Sequence, residues 1–101
     1  MKMLHIVNKS PFENTSLDSC LRVTGKDGAL LLTEDGVYAV AKHNALEAKM
    51  KQALKTVKIY ALWPDLEARG MQDAILDGVK LVGYDGFVDL VAEHDSVQSW
   101  L

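Results

Sequence analysis

Residues 29 to 33 read Ala-Leu-Leu-Leu-Thr, and no other stretch limits the fold as strongly. Four successive apolar residues leave no polar side to a strand, so both faces must be covered. That is the condition inside a parallel sheet flanked by helices. The run is strand length and is bounded by the turn Gly25-Lys26-Asp27-Gly28 and by Glu34-Asp35-Gly36. Around it, short apolar runs alternate with helical patterns, which implies βαβ units with right-handed crossovers.

The first strand spans Met3 to Val7 and ends in the polar loop Asn8 to Ser16, where Ser10-Pro11 disfavours helix. Thr15 with Asp18 fits a capping box, and Gly25 fits a stop after Thr24. Between them Leu17, Cys20, Leu21 and Thr24 fall on one helical stripe. A short helix is expected over 37–42. Asn44 with Glu47 opens another to about Lys55, with Leu46, Met50, Leu54 and Val57 inward. A third strand covers 57–62 and runs into Trp63-Pro64-Asp65, where proline suits the first turn of a short helix stopped by Gly70. Residues 71–78 are weakly patterned. A fourth strand covers 79–83, Asp85 caps a last helix with Phe87, Leu90, Val91 and His94 on one face, and 96–101 is a tail. The expected fold is α/β, one domain over 1–101: a three-layer, mostly parallel sheet of about four strands with helices on both faces.

The totals exclude several function classes. A chain of 101 residues with 49% apolar and 25% charged residues folds around one core. One cysteine cannot make an internal disulfide, and no Cys/His pair has zinc spacing, which indicates a reducing compartment. The apolar run at Met3–Val7 is too short for a leader or a membrane span, so a cytoplasmic protein without membrane contact is expected. Net charge is −3, with +4 concentrated between Lys42 and Lys58, leaving −7 elsewhere. Such an acidic remainder does not suit direct nucleic-acid binding, and the lysine run reads as a solvated helix face.

Chemistry in such a sheet gathers beyond the carboxyl ends of the strands. The loops after the first three strands carry Ser10, Glu34-Asp35 and Trp63-Pro64-Asp65. No glycine-rich phosphate motif is present, so no cofactor is assigned. The histidines His5, His43 and His94 lack spaced partners. His5 and His94 read as core histidines bonded to backbone, and Glu34-Asp35 reads as a turn before an acid–base pair. Cys20 lies five or six residues into its helix, beyond the reach of the dipole, and Arg22 faces away. Packed filler and reactive thiol both stay open for it.

Four stretches, Met3–Phe12, Leu31–Ala39, Lys58–Gly70 and Gly86–Leu101, resemble the small sulfur-relay subunits TusB and DsrH. The ending with His94, Ser96, Trp100 and Leu101 is distinctive. The resemblance implies a flavodoxin-like fold and a heterohexamer with TusC- and TusD-like or DsrE- and DsrF-like subunits. It implies TusA-, TusE- or DsrC-like carriers, with sulfur passing towards wobble-uridine 2-thiolation of tRNA or through sulfur oxidation. In that family the main sulfur-carrying cysteine belongs to the TusD or DsrE partner. TusB-like members can lack cysteine, whereas DsrH-like members carry one in the first helix, and Cys20 matches that position. The resemblance therefore admits Cys20 as a secondary sulfur acceptor, and the rival is a structural subunit that completes the oligomer. Trp63, Trp100 and Leu101 are candidate interface anchors, unless they fold back on their own core. A third reading is a small-ligand module using the strand-end loops.

Overall fold

The computed structural model describes residues 2–25 and 28–100. Five strands, β1 (Met3–Val7), β2 (Ala29–Leu32), β3 (Lys58–Leu62), β4 (Lys80–Val82) and β5 (Ser96–Trp100), form one sheet. Its order is β4-β3-β2-β1-β5, and every pairing is parallel. All four residues of β2 are buried, as its unbroken apolar run requires. Burying each of its leucines contributes about 1.5–3 kcal/mol.

The sheet has five strands, one more than the sequence pattern indicates. The extra strand is the segment read as a tail, which lies along β1 with Met3 opposite Ser96 and Val7 opposite Trp100. Ser-Val-Gln-Ser-Trp hides its strand character because β5 is an edge, and Val97, Gln98 and Ser99 are exposed. An edge strand needs no continuous apolar run.

Helices α1 (Ser16–Val23), α2 (Glu47–Ala53) and α3 (Trp63–Ala68), with a 3-10 helix over Glu34–Val40, cover one face of the sheet. There Leu17 and Cys20 of α1, Met50 of α2 and Leu66 of α3 meet Val7, Leu30, Leu32, Ile59 and Ala61. On the other face α4 (Tyr84–Glu93) packs Phe87 and Leu90 against Leu4, Ala29, Leu31 and Tyr60. Lys49 pairs with Asp18 to tie α2 to α1.

The caps differ from the sequence reading. Neither Thr15 nor Asp85 makes a side-chain cap. Asn14 instead accepts the Ser16 N–H at 2.7 Å, so the turn before α1 supplies the acceptor. The last helix begins after Gly83, one residue before Asp85, which leaves that carboxylate in the first turn. Asn44 and Glu47 do not cap α2 either, whose N-cap is Leu46; they bond within the turn before it, Asn44 accepting from Leu46 N–H at 2.8 Å and Glu47 from His43 N–H at 2.9 Å. That backbone bond holds the Glu47 carboxyl below the usual carboxylate range, helped by Lys51. The short helix expected at 37–42 starts earlier, at Glu34, and is 3-10.

Residues 71–78 form a loop pinned on either side of Ile75. Lys42 N–H donates to the Ala74 carbonyl at 2.8 Å, and Leu76 N–H to the Val40 carbonyl at 2.9 Å. Among the described glycines Gly36 permits the closest approach, since a Cβ there would lie 2.3 Å from the Val7 carbonyl oxygen. The 3-10 helix therefore sits directly on the carboxyl end of β1.

Candidate functional site at the carboxyl edge

Chain order runs outward from β1 through β2 and β3 to β4, then crosses the sheet to place β5 on the other side of β1. A crevice is expected where that direction reverses, beyond the carboxyl ends. A cavity of about 370 Å³ lies there. Ile6, Leu62, Tyr84 and Phe87 give it apolar walls, and Asn8, Thr33, Glu34, Asp65 and Ser99 give it polar ones.

Each polar group is placed by a strand end. Asn8 follows β1, and its Oδ1 is buried without a donor among the described residues. Glu34 follows β2 with a φ of 48°, a left-handed conformation that costs a non-glycine residue about 1 kcal/mol or more. Asp65, in the first turn of α3, holds that conformation by accepting the Glu34 N–H on Oδ2 at 2.7 Å.

Asp35 points elsewhere. Arg69 donates to its Oδ1 from Nε at 3.1 Å and from Nη2 at 2.9 Å. Arg69 also donates to the Asp65 carbonyl at 3.1 Å and lies 6.0 Å from the centroid of the Tyr38 ring. Glu34 and Asp35 thus form a turn with separate attachments, as the sequence indicates. Ser10 is in the loop after β1, where its Oγ accepts the Phe12 N–H at 3.3 Å; it does not line the cavity.

Trp63 and Trp100 are partly buried and pack against the core beneath α1, α2 and α3. Trp100 also borders the cavity, and its Nε1–H donates to His5 Nδ1 at 3.1 Å. His5 is buried, which pushes its pKa below the ordinary 6.5. His5 is not bonded to backbone as its place in a strand indicates: its partner is an indole from the neighbouring strand. His94 does bond to backbone, with Nδ1 2.7 Å from the Leu90 carbonyl. Leu101 lies outside the described residues.

Cys20 is on the opposite side of the sheet from α4, fully buried in the larger core. Its Sγ lies 3.6 Å from Thr24 Oγ1, while the Thr24 hydroxyl donates to the Cys20 carbonyl at 2.7 Å. Burial pushes the thiol pKa up, and the Thr24 contact offsets part of that rise. A thiol kept protonated and away from solvent is a poor nucleophile. Among the described residues no group of three or more His, Cys, Asp or Glu is placed to hold a metal ion. No helix among them is long and apolar enough to cross a membrane.

Asn8, Asp65, Tyr84, Phe87 and Ser99 enter the site through topology. Asp65 could be found in the sequence because it stands in a strand-end loop. Tyr84 stands just beyond the carboxyl end of β4 and carries the same signal, whereas Phe87, one turn into α4, carries none.

The overall fold is shared with solved structures. The ychN protein of Escherichia coli superposes with a TM-score of 0.82 at 20% identity, covering 98% of each chain. A protein of unknown function from Methanobacterium thermoautotrophicum gives 0.69 at 19% identity over 96% of each. These similarities show the fold. The family is shown by sequence: the model described as DsrH like protein matches residues 9–97. The chain belongs to the TusB/DsrH family. Protein TusB of Pectobacterium carotovorum is 40% identical over 99 residues, spanning 97% of this chain and all of the relative. Protein TusB of Escherichia coli K12 is 36% identical over 98 residues, with the same coverage. Family membership thus agrees with the resemblance read from Met3–Phe12 onward, and with the α/β parallel-sheet fold expected from it.

Proposed function

We propose that this chain is an accessory, non-catalytic subunit of a cytoplasmic sulfur-relay complex of the TusBCD kind. In this reading it joins TusC- and TusD-like subunits in a heterohexamer. The complex accepts persulfide sulfur from a TusA-like carrier and passes it to a TusE-like one for tRNA 2-thiolation. The tRNA branch is preferred over a DsrEFH-type complex with a DsrC-like acceptor because the relatives at 36–40% identity are named TusB. The principal sulfur carrier is a cysteine of the TusD-like partner.

The observation that carries this reading is the burial of Cys20, the sole thiol of the chain, with zero exposure and a raised pKa. Persulfide transfer requires a thiolate that a donor can reach, and Cys20 offers neither. Cys20 then serves as packing. Cys20→Ala should cost less than about 2 kcal/mol of stability, because it empties only a small volume. The co-purified complex carrying it should transfer sulfur to the TusE-like acceptor at the wild-type rate. A one-sulfur mass increase on Cys20 after persulfide feeding, with transfer lost in Cys20→Ala, would make it a carrier instead.

A further inference from the structure

The carboxyl-edge cavity is graded from base to mouth. Ile6 packs with Leu4 and Leu31 beneath α4, and alternation one step past β1 carries Asn8 to the same side of the sheet. Leu62, in register with Val82, points to that side as well. Buried Leu62 and Thr33 form the base, with Ile6 beside them and the ring of Phe87 across from the sheet. Glu34, Tyr84 and Ser99 are exposed and stand at the mouth. At about 370 Å³ the space is near the lower end of ligand pockets and suits a molecule of roughly a dozen non-hydrogen atoms. Its depth is apolar and its opening is polar.

Charge and hydrogen bonding select the ligand. The lining includes two carboxylates, Glu34 and Asp65, and no lysine, arginine or histidine. Asp65 is already engaged: its Oδ2 accepts the Glu34 N–H, and Arg69 comes within 3.9 Å of its Oδ1. Glu34 is in no ion pair among the described residues, which leaves an uncompensated negative charge at the mouth. Anions at such sheet edges sit on the opening amides of a helix, but Asp85 and Gly86 in the first turn of α4 do not line this space. Asn8 supplies an independent sign of a missing partner. It stands on the wall next to Thr33, and its Oδ1 is buried with no donor among the described residues. A buried acceptor without a donor is unfavourable, and a turn of the amide in the cavity wall lets an N–H of a bound molecule meet it. We infer that the cavity binds a small organic cation, an ammonium group on a flat apolar body. The ammonium donates to Asn8 Oδ1 and faces the Glu34 carboxylate, while the body lies on Ile6, Leu62 and Phe87. Tyr84 and Trp100 add ring surface that favours both a flat body and a cation. A neutral isostere loses the charge pair, and an anion meets Glu34 with like charge. The inference concerns a ligand of this chain alone, so it and the relay reading can fail separately.

The test is titration calorimetry of the full chain at neutral pH and low salt with three probes that share an indole ring. Tryptamine carries an ammonium, tryptophol a hydroxyl and indoleacetate a carboxylate. Tryptamine should bind about fivefold more tightly than tryptophol and about tenfold or more above indoleacetate, and added salt should shrink both margins. Glu34→Gln should bring tryptamine and tryptophol within about twofold of each other. Asn8→Leu should weaken tryptamine about fivefold while Tm holds, since the amide oxygen has no partner in the fold to lose. Ser99→Phe, at an exposed position of the mouth, should weaken tryptamine about tenfold or more by filling the space. Asp35→Asn, outside the cavity, should leave it within about twofold. Nitrogen-15 amide shifts on adding tryptamine should centre on Thr33, Glu34, Phe87 and Ser99. The inference is overturned if tryptamine shows no binding up to about 5 mM, or if indoleacetate binds as well as tryptamine. It is also overturned if the shifts centre elsewhere, or if Glu34→Gln and Asn8→Leu both bind like wild type. Should Ser99→Phe lower Tm, the other two variants decide, because each is read as a ratio between probes on one folded protein.

Discussion

On one face of the sheet Val37, Met50 and Leu66 are sealed beneath three helices and a 3-10 turn, and on the other a single helix leaves Val88 and Val97 facing water. The first face holds most of the buried side chains and also the only cysteine. The second combines exposed apolar residues with an acidic row. A sulfur atom placed in the closed core is shielded from exchange, while an incompletely covered sheet is available to a neighbour. Closed core and exposed apolar surface are thus divided between the two faces.

The sharpest way to break this contrast is to truncate one side chain on each face. Leu30→Ala, in the middle of β2 and under the three helices, should cost about 2–5 kcal/mol in urea unfolding of the isolated chain. Val88→Ala should stay within about 0.5 kcal/mol, since its side chain is already mostly in water. Comparable losses at the two positions would mean that α4 closes its face as fully as the other helices do.

A smaller effect tests the seam between His5 and Trp100, which belongs to the closed face although it lies at its border. Trp100→Phe removes the indole donor and should cost about 1 kcal/mol, plus whatever the smaller ring loses in packing. The same pair gives an acid limb. The pKa of His5 in the folded chain lies below its ordinary 6.5. The unfolded chain therefore binds the proton more readily, and stability is whole above pH 6.5 and declines as pH falls below it. Urea midpoints measured downward from neutral pH should show this decline in the wild type and lose it in His5→Gln. Glu47, also depressed, contributes a separate loss only below its ordinary 4.5.

The smallest effect is expected at the rim. Asp35→Asn weakens the fork from Arg69, but Asp35 is half-exposed and the pair is screened. Less than about 1 kcal/mol should be lost by the same measurement.

Much of the architecture was legible in the residues. The run at Ala29–Leu32 dictated a strand with two covered faces, and the stripe Leu17, Cys20, Leu21 turned the cysteine inward. β5 was not legible, because Val97, Gln98 and Ser99 are exposed on an edge and no apolar run marks them. Glu34 and Asp35 were visible as a strand-end pair, but their division between the Asp65-held turn and the Arg69 fork depends on side chains more than 30 residues away. Tyr84 follows the end of β4, but Phe87 reaches the cavity only through the packing of α4 on the sheet, which no local pattern encodes. Val91 fits the packed face of α4 by spacing, together with Leu90. Burial separates them: Leu90 is covered and Val91 is not.

The pairing of β5 with β1 also governs when the protein can finish folding. Met3 must wait for Ser96, so the earliest strand made by the ribosome is completed by the latest of the five. Contacts so distant in sequence slow folding, and β1 keeps a bare edge throughout synthesis. During that interval the nascent chain is open to foreign strands, and release of β5 from the ribosome is the event that ends the exposure.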